Sequence, residues 1–239
     1  MTINPTPNGT QMLGTTGTSS AQTMPTGVPS SGDANLPVLK VTRRKPMANG
    51  VAGNVKQHFV CCVDYSTSMT GDKLRELLMG LDGLYLQLAD PSNKDGFYNT
   101  IIPFNNSSYV HCSVVAASAI PPLNLVASGG TNFDSPLKKA IAEIQAQKAA
   151  PNPGGWHWLQ PVVLFLSDGQ SRVTDKNIED LHEIANVVAV AYGDDADQAT
   201  LARIASDGQV HAVGADSGAL RAFLSVVGKT LVSNMQSTV

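Results

Sequence analysis

The sequence predicts an α/β fold, in which helices flank a doubly wound, mostly parallel sheet that has one antiparallel edge strand. The first observation is that apolar runs of strand length alternate with helical patterns from Gln57 onward. The second is that the run at 162–166 lacks polar alternation, as do strands that are buried on both faces of a parallel sheet. Strands and helices that alternate in this way favour the doubly wound architecture.

The individual elements follow from simple periodicities. Leucines recur at spacings of three and four from Leu74 to Leu88, which predicts a helix that ends before Pro91. Ser135-Pro136 is typical of a helix start, with the serine as N-cap and the proline at the first helical position. In chain order the predicted elements are a strand at 59–63, a helix at 74–88, a strand at 97–104, an antiparallel edge strand at 109–115, a helix from 135 to the break at 152–155, a strand at 162–166, a helix at 177–186, a strand at 187–192, a helix at 200–205, a strand at 209–213 and a helix at 220–231.

The chain is predicted to contain one folded domain preceded by an arm. Residues 1–36 are rich in Thr, Ser, Gly and Pro and carry a single charge, at Asp33. Such a segment can bury too little apolar surface to offset the entropy that ordering costs, so we predict a disordered arm. The folded domain is predicted over 37–239, with its core at about 57–232.

The bulk composition argues against several classes of function. Charged residues make up 15% of the 239 residues and the net charge is −3, so no basic surface indicates nucleic acid or an anionic membrane. We find neither a signal-peptide pattern nor an apolar run of about 18 residues that could span a membrane. The three cysteines lack metal-site spacing, and a disulfide framework is not expected. We therefore expect a cytoplasmic protein.

The most informative motif is a short run of oxygen-bearing side chains after a predicted buried strand. Asp64, Ser66 and Ser68 are spaced two residues apart, on the turn that follows the apolar run at 59–63. Their oxygens can converge on one point, and hard oxygen ligands in a partial shell suit Mg²⁺. On its own such a turn is more often a helix cap, so the assignment depends on residues elsewhere in the chain.

Two later loops supply further oxygens. Thr131 adds a hydroxyl after a pair of glycines, and Asp168 comes just beyond the apolar run at 162–166. Ligands in doubly wound sheets bind outside the carboxyl ends of the strands, and both Asp64 and Asp168 follow such strand ends. The motif and the predicted fold therefore agree.

Together these residues resemble the metal-ion-dependent adhesion site of von Willebrand factor A (VWA) domains. The resemblance implies that Ser66, Ser68 and Thr131 bind the ion directly. It implies that Asp64 and Asp168 act from behind, by accepting hydrogen bonds from bound waters and orienting the serines. The implied ion is Mg²⁺, with Mn²⁺ as the other candidate.

A further stretch resembles one branch of that family. The block from Trp158 to Gly169 is similar to the corresponding block of bacterial TerY-type proteins. This resemblance implies a role in tellurium resistance or a related stress response. It also implies partners such as a PP2C-type phosphatase or a protein kinase.

These observations predict a protein-binding module rather than an enzyme. The open position of the ion is expected to accept an Asp or Glu carboxylate of a partner protein. Neutral hydroxyl ligands leave most of the charge of the ion uncancelled, so an incoming carboxylate gains more than it would at an all-aspartate site. The alternative is a metal-dependent phosphohydrolase, or an enzyme that binds phosphate esters, with the same ion.

Motifs typical of enzymes are not found. A phosphatase of the haloacid-dehalogenase kind needs a second aspartate where this chain has Ser66. The sequence contains neither a Gly-x-Ser-x-Gly elbow nor a Walker loop after a strand. The five histidines are scattered and form no metal-type pair, so we expect each to be a surface residue or a hydrogen-bonded polar residue.

Overall fold

A computed structural model describes residues 53–216 and 218–237 of the protein. The predicted arm at 1–36 and the predicted start of the domain at 37 lie outside these residues. Within them the chain forms seven strands and five α-helices. In chain order the elements are β1 (Val55–Asp64), α1 (Asp72–Leu88), β2 (Phe97–Phe104), β3 (Cys112–Ala116), α2 (Asp134–Ala149), β4 (His157–Trp158), β5 (Val162–Ser167), α3 (Asp175–Ile184), β6 (Asn186–Tyr192), α4 (Gln198–Ile204), β7 (Val210–Val213) and α5 (Ala219–Ser237).

The strands form the predicted doubly wound sheet. Six of them follow the order β3-β2-β1-β5-β6-β7, and β4 pairs with the start of β1. All pairs are parallel except β2 and β3, which are antiparallel at the edge. The topology reverses at β1, because the chain crosses to β2 on one side and later to β5 on the other. Crevices at such a reversal are where open α/β sheets bind ligands.

Helices cover both faces of the sheet. Successive residues of a strand point to opposite faces, and in β1 Phe59 and Cys61 pack in the cluster that contains residues of α1 and α5. Val60 and Cys62 pack in the cluster that contains residues of α2, α3 and α4. Both cysteines are free and fully buried, as small core residues. Among the residues that the structure describes, no helix is long and apolar enough to cross a membrane.

The start of α2 differs from the prediction. The helix begins at Asp134, and its N-cap position falls on Phe133, whose side chain makes no capping hydrogen bond. The prediction that Ser135 is the N-cap and Pro136 the first helical residue is therefore wrong by two positions. The Ser135 hydroxyl instead lies 2.8 Å from the hydroxyl of Ser108, in the loop between β2 and β3.

One histidine lies inside the sheet. His58 in β1 is fully buried, and its Nε2 lies 2.9 Å from Thr100 Oγ1 in β2. Its Nδ1 has no hydrogen-bond partner among the described residues. Burial lowers the pKa of His58 from 6.5 to about 4, since charging the ring inside the sheet would remove an ion from water. His58 is therefore neutral at pH 7.

Candidate metal centre

The first candidate residue, Asp64, lies where the two central strands end. It closes β1 and is fully buried. Its Oδ1 accepts a hydrogen bond from Ser66 N at 2.7 Å, and its Oδ2 accepts one from Ser167 Oγ at the end of the neighbouring strand β5. Burial raises the pKa of the Asp64 carboxyl, and the hydrogen bonds from Ser167 and Ser66 oppose that rise only in part. A cation bound nearby would favour the charged form.

The two serines follow on a single turn of 3₁₀-helix over Thr67–Met69. The Ser66 side chain is buried beneath the turn, and Ser68 is exposed. Their hydroxyl oxygens lie 3.0 Å apart. The turn is fixed because Thr67 N and Thr67 Oγ1 both donate to Gly129 O, at 3.0 and 2.9 Å. One buried and one accessible hydroxyl thus lie side by side.

Asp168 connects the serine turn to β5 and α1. It follows the last residue of β5 and is almost fully buried. Ser68 Oγ donates to its Oδ1 at 2.7 Å, and Lys73 Nζ donates to its Oδ2 at 2.6 Å. Each carboxylate oxygen of Asp168 therefore has one donor. Asp168 therefore lies behind Ser68 and orients its hydroxyl.

Two asparagines that follow β2 hold the Thr131 loop in place. Asn105 Nδ2 donates to Ser128 O at 2.9 Å, and Asn106 Oδ1 accepts from the backbone N–H of Gly130. The loop places Thr131 directly over Gly169. A β-carbon on Gly169 would lie 2.6 Å from Thr131 Oγ1, so only glycine leaves room for this hydroxyl.

A carboxylate at the first residue of α2 connects this helix to the start of α3. Asp134 accepts hydrogen bonds from Thr174 N and Thr174 Oγ1, at 2.9 and 2.8 Å, and from Asn177 Nδ2 at 2.5 Å. Burial acts to raise the pKa of Asp134, but these hydrogen bonds together with the charge of Lys138 outweigh it and lower that pKa overall. The contacts connect the end of the Thr131 loop to the start of α3.

All five predicted residues meet at this edge of the sheet. Residues that matter there and were not predicted include Ser167, Lys73 and Asn105. A signal for Ser167 existed, because it is the one hydroxyl in the otherwise apolar run of β5 and directly precedes Asp168. Lys73 and Asn105 had none, because a lysine in the first turn of a helix and an asparagine in a turn are common everywhere.

The oxygens at this edge fit a hard divalent cation. In the described parts of the chain, no group of three or more His, Cys, Asp or Glu side chains could hold a metal ion. Hydroxyls would therefore have to supply direct ligands here. The Oγ atoms of Ser66 and Ser68 are 3.0 Å apart, and adjacent ligands of an octahedral ion with bonds of about 2.1 Å also lie roughly 3.0 Å apart.

Comparison with known families identifies the fold around this centre. A family profile described as "von Willebrand factor type A domain" matches residues 59–224. The chain belongs to the VWA family. The matched VWA region begins within β1 and ends within α5, so it includes all the residues of the candidate centre. No curated protein matches the chain in sequence at a significant level.

Solved structures share the VWA fold at low sequence identity. One is proximal thread matrix protein 1 from the mussel byssus, in a structure described as having a zinc-occupied MIDAS (metal-ion-dependent adhesion site) motif. It is 17% identical with a TM-score of 0.54, over 77% of this chain and 48% of that one. A von Willebrand factor type A protein from Catenulispora acidiphila is 16% identical with a TM-score of 0.57, over 76% and 43%. The pilus adhesin SpaC from Lactobacillus rhamnosus GG is 13% identical with a TM-score of 0.62, over 76% and 31%. This chain spans less than half of each of these proteins, and the likeness shows the fold alone.

Proposed function

We propose that this VWA domain is a metal-ion-dependent protein-binding module. Ser66, Ser68 and Thr131 hold a divalent cation through their hydroxyl oxygens, and Asp64 and Asp168 accept hydrogen bonds from the waters around it. The remaining position of the ion takes an Asp or Glu carboxylate from a partner protein. The zinc-occupied MIDAS motif of the mussel protein supports the view that this fold accommodates such an ion.

The observation that carries the proposal is the arrangement of neutral and charged oxygens. The Ser66 and Ser68 hydroxyls are 3.0 Å apart, and the exposed one, Ser68, is backed by the buried Asp168 carboxylate. An ion held by hydroxyls keeps most of its charge, which an incoming carboxylate then meets directly. The arrangement therefore suits capture of an anionic ligand better than tight storage of the metal.

Exposed apolar side chains beside the centre support a protein partner. The side chain of Val126 is 83% exposed and that of Tyr109 is 41% exposed. Val126 lies two residues before Ser128, whose N–H donates to Tyr65 O at 2.9 Å, and the Tyr109 ring lies 6.4 Å from the Tyr65 ring. Tyr65 itself stands between Asp64 and Ser66 in sequence. Apolar surface next to a carboxylate-binding position offers contacts that a small anion could not use.

The identity of the ion is inferred from the preferences of its ligands, and the cellular system and the partner are inferred from sequence resemblance. Mg²⁺ is the proposed physiological ion, with Mn²⁺ as the alternative, because hard oxygen ligands suit both. The likeness of the stretch from Trp158 to Gly169 to TerY-type proteins supports a place in a cytoplasmic tellurium-resistance or stress-response system. A PP2C-type phosphatase or a protein kinase is the proposed partner.

The geometry gives less support to the alternative, a metal-dependent phosphohydrolase. In such an enzyme Asp64 would be the candidate nucleophile. Both of its oxygens accept hydrogen bonds, from Ser66 N and Ser167 Oγ, and the residue is fully buried. A phosphate ester at the centre would meet the hydroxyls of Ser68 and Thr131 before it reached Asp64.

Thermal unfolding in Mg²⁺ tests the proposed site. A ligand at a hundred times its Kd stabilises the native state by about 2.7 kcal/mol. For a domain of this size that corresponds to a rise in Tm of roughly 5–10 °C. Ser66→Ala combined with Ser68→Ala should abolish the rise, and Ser113→Ala, at an exposed serine of β3, should keep it. A wild-type Tm that does not respond to Mg²⁺ or Mn²⁺ would refute the proposal.

A further inference from the structure

A lysine occupies one side of the candidate metal centre. Lys73 is the second residue of α1, and its Nζ lies 2.6 Å from Asp168 Oδ2. The other oxygen of that carboxylate, Oδ1, accepts the hydrogen bond from Ser68 Oγ. Asp168 therefore lies between an ammonium group and a hydroxyl that we propose as a ligand of the ion.

This ion pair is less exposed than the others in the described part of the chain. The Lys73 side chain is 22% exposed and that of Asp168 is 0% exposed. In the other four ion pairs among those residues, the basic side chain is at least 41% exposed. Solvent and salt screen exposed charges strongly and partly buried ones much less. The charge of Lys73 therefore acts on the neighbouring groups of the centre with little screening.

The turn after β6 leaves space for the ammonium group. Gly193 has a φ of 85°, which favours glycine, and its N–H donates to Val213 O at 2.8 Å. A β-carbon at Gly193 would lie 3.2 Å from Lys73 Nζ and 3.3 Å from Lys73 Cε. The side chain of Lys73 therefore runs from α1 past this turn, and its ammonium group contacts Asp168.

We propose that Lys73 lowers the affinity of the centre for divalent cations and keeps the centre positively charged once an ion is bound. With Asp64 and Asp168 both charged, the ammonium group reduces the net charge of the centre from −2 to −1. A divalent cation is then attracted less strongly. After it binds, the centre carries +1, where the carboxylates alone would have left it neutral.

The chemistry of Asp168 allows Lys73 to remain in place when the ion binds. A carboxylate offers about four acceptor positions. Asp168 uses two of them, for Lys73 and Ser68, and can still accept a hydrogen bond from a water on the ion. Lys73 would thus act through Asp168 as a positioning residue and would make the bound ion a better acceptor for a carboxylate. This inference rests on the proposed function of the centre.

Titration of the full chain with Mn²⁺, with free Mn²⁺ followed by electron paramagnetic resonance, tests the effect on the ion. Lys73→Met removes the charge and the donor, and Lys73→Gln removes the charge but keeps an N–H donor for Asp168. Both variants should bind Mn²⁺ about tenfold more tightly than the wild type, because a nearby like charge is gone. The matched control is Arg75→Gln, which removes a charge from the same helix at a 63% exposed side chain paired with Asp72, and it should bind as the wild type does.

The glutamine variant decides the outcome, because it separates charge from hydrogen bonding and remains informative if the methionine variant does not fold. Mn²⁺ binding by Lys73→Gln that is no tighter than that of the wild type overturns the inference. The proposed function is unaffected by that result as long as the wild type binds Mn²⁺. If the two Lys73 variants bind Mn²⁺ and the wild type does not, the inference is supported and the proposed function is refuted. If no form binds Mn²⁺, both are refuted.

Acetate tests the second half of the inference on the same Mn²⁺-loaded samples. Acetate that replaces a water on bound Mn²⁺ lowers the relaxation enhancement of solvent protons. At equal saturation with Mn²⁺, half-maximal loss should need about tenfold more acetate in Lys73→Gln than in the wild type, since the centre is no longer positive. An unchanged acetate midpoint would show that Lys73 does not favour anion capture.

Discussion

Ser167 Oγ donates a hydrogen bond to Asp64 Oδ2 and thereby joins the carboxyl ends of the two central parallel strands. Both residues are fully buried. The hydroxyl also accepts a hydrogen bond from Gly169 N at 2.9 Å, so one side chain orients Asp64 and the turn that carries Asp168. The candidate centre is thus supported from beneath by a residue that would not itself touch the ion.

Removing that hydroxyl should destabilise the domain. Ser167→Ala leaves a buried oxygen of Asp64 without its donor, and such a loss typically costs about 1–3 kcal/mol. Urea unfolding in the absence of divalent cations measures the difference. Ser113→Ala, at an exposed site, should change stability by less than about 0.5 kcal/mol. Equal midpoints for the two variants would mean that the Ser167 contact adds no stability.

Gly169→Ala should weaken ion binding without disturbing the rest of the fold. The new β-carbon would lie 2.6 Å from Thr131 Oγ1 and so would displace the hydroxyl from the centre. We expect an affinity for Mn²⁺ that is lower by about 10–100-fold, as when the support of a metal ligand is lost. Calorimetric titration with Mn²⁺ provides the measurement.

The matched control for Gly169 is a glycine in open space. A β-carbon at Gly83, in the middle of α1, meets nothing within 4 Å. Gly83→Ala should leave the Mn²⁺ affinity unchanged and stabilise the helix by up to about 1 kcal/mol. Unchanged affinity in Gly169→Ala would show that Thr131 does not bind the ion.

Stability should fall in mild acid because of His58. The unfolded chain protonates this histidine near its ordinary pKa of 6.5, whereas the folded protein protonates it only near pH 4. Between these values the unfolded state binds more protons, so the free energy of unfolding decreases as the pH falls. The full effect is about 3 kcal/mol, present above pH 6.5 and lost towards pH 4.

Comparison with a variant isolates that contribution, because other groups, such as Asp64, also titrate in acid. The difference in unfolding free energy between the wild type and His58→Gln should change by about 3 kcal/mol from pH 7 to pH 4. His157→Gln, the same substitution at an exposed histidine of β4, provides the control. A constant difference for His58→Gln would contradict the low pKa.

Capture of the partner should need both the ion and a carboxylate. Thr131→Ala, Asp64→Ala and EDTA should each abolish the same interaction, as should Asp→Asn or Glu→Gln at one residue of the partner. Truncating a charge-assisted contact at a desolvated interface typically costs about 2–5 kcal/mol. Lys176→Ala changes only an exposed charge that pairs with Asp180 and should alter affinity slightly. Binding that survives EDTA with unchanged affinity would place the contact elsewhere on the domain.

The fold was predictable because its signals are local. Every helix and every strand of the main sheet path appears in the apolar periodicity, and Phe97–Phe104 was predicted to the residue. The strand β4 was missed because its two residues are too few to show a period. The cap of α2 was wrong because Ser135 donates in the first turn instead of accepting there: its backbone N–H donates to Asn132 Oδ1 at 3.3 Å.

The residues of the candidate centre were predictable for a different reason. Asp64 directly follows one apolar run and Asp168 comes two residues after another. These runs are parallel neighbours in the sheet, so strand order alone brings the two aspartates to one edge. The contacts of Lys73 and Asn105 depend on how α1 and the Thr131 loop pack on that edge. Tertiary packing decides such pairings, and sequence spacing does not encode it.

The distance along the chain between the parts of the centre bears on the order of events in folding. Ser68 and Asp168, which share a hydrogen bond, are 100 residues apart, and contacts between residues so distant in sequence form late because closing a long loop costs entropy. An ion that needs both would then bind late, after the main folding barrier. We expect Mg²⁺ to slow unfolding while leaving the refolding rate nearly unchanged. The ion would then raise the kinetic stability of a sheet that has already formed.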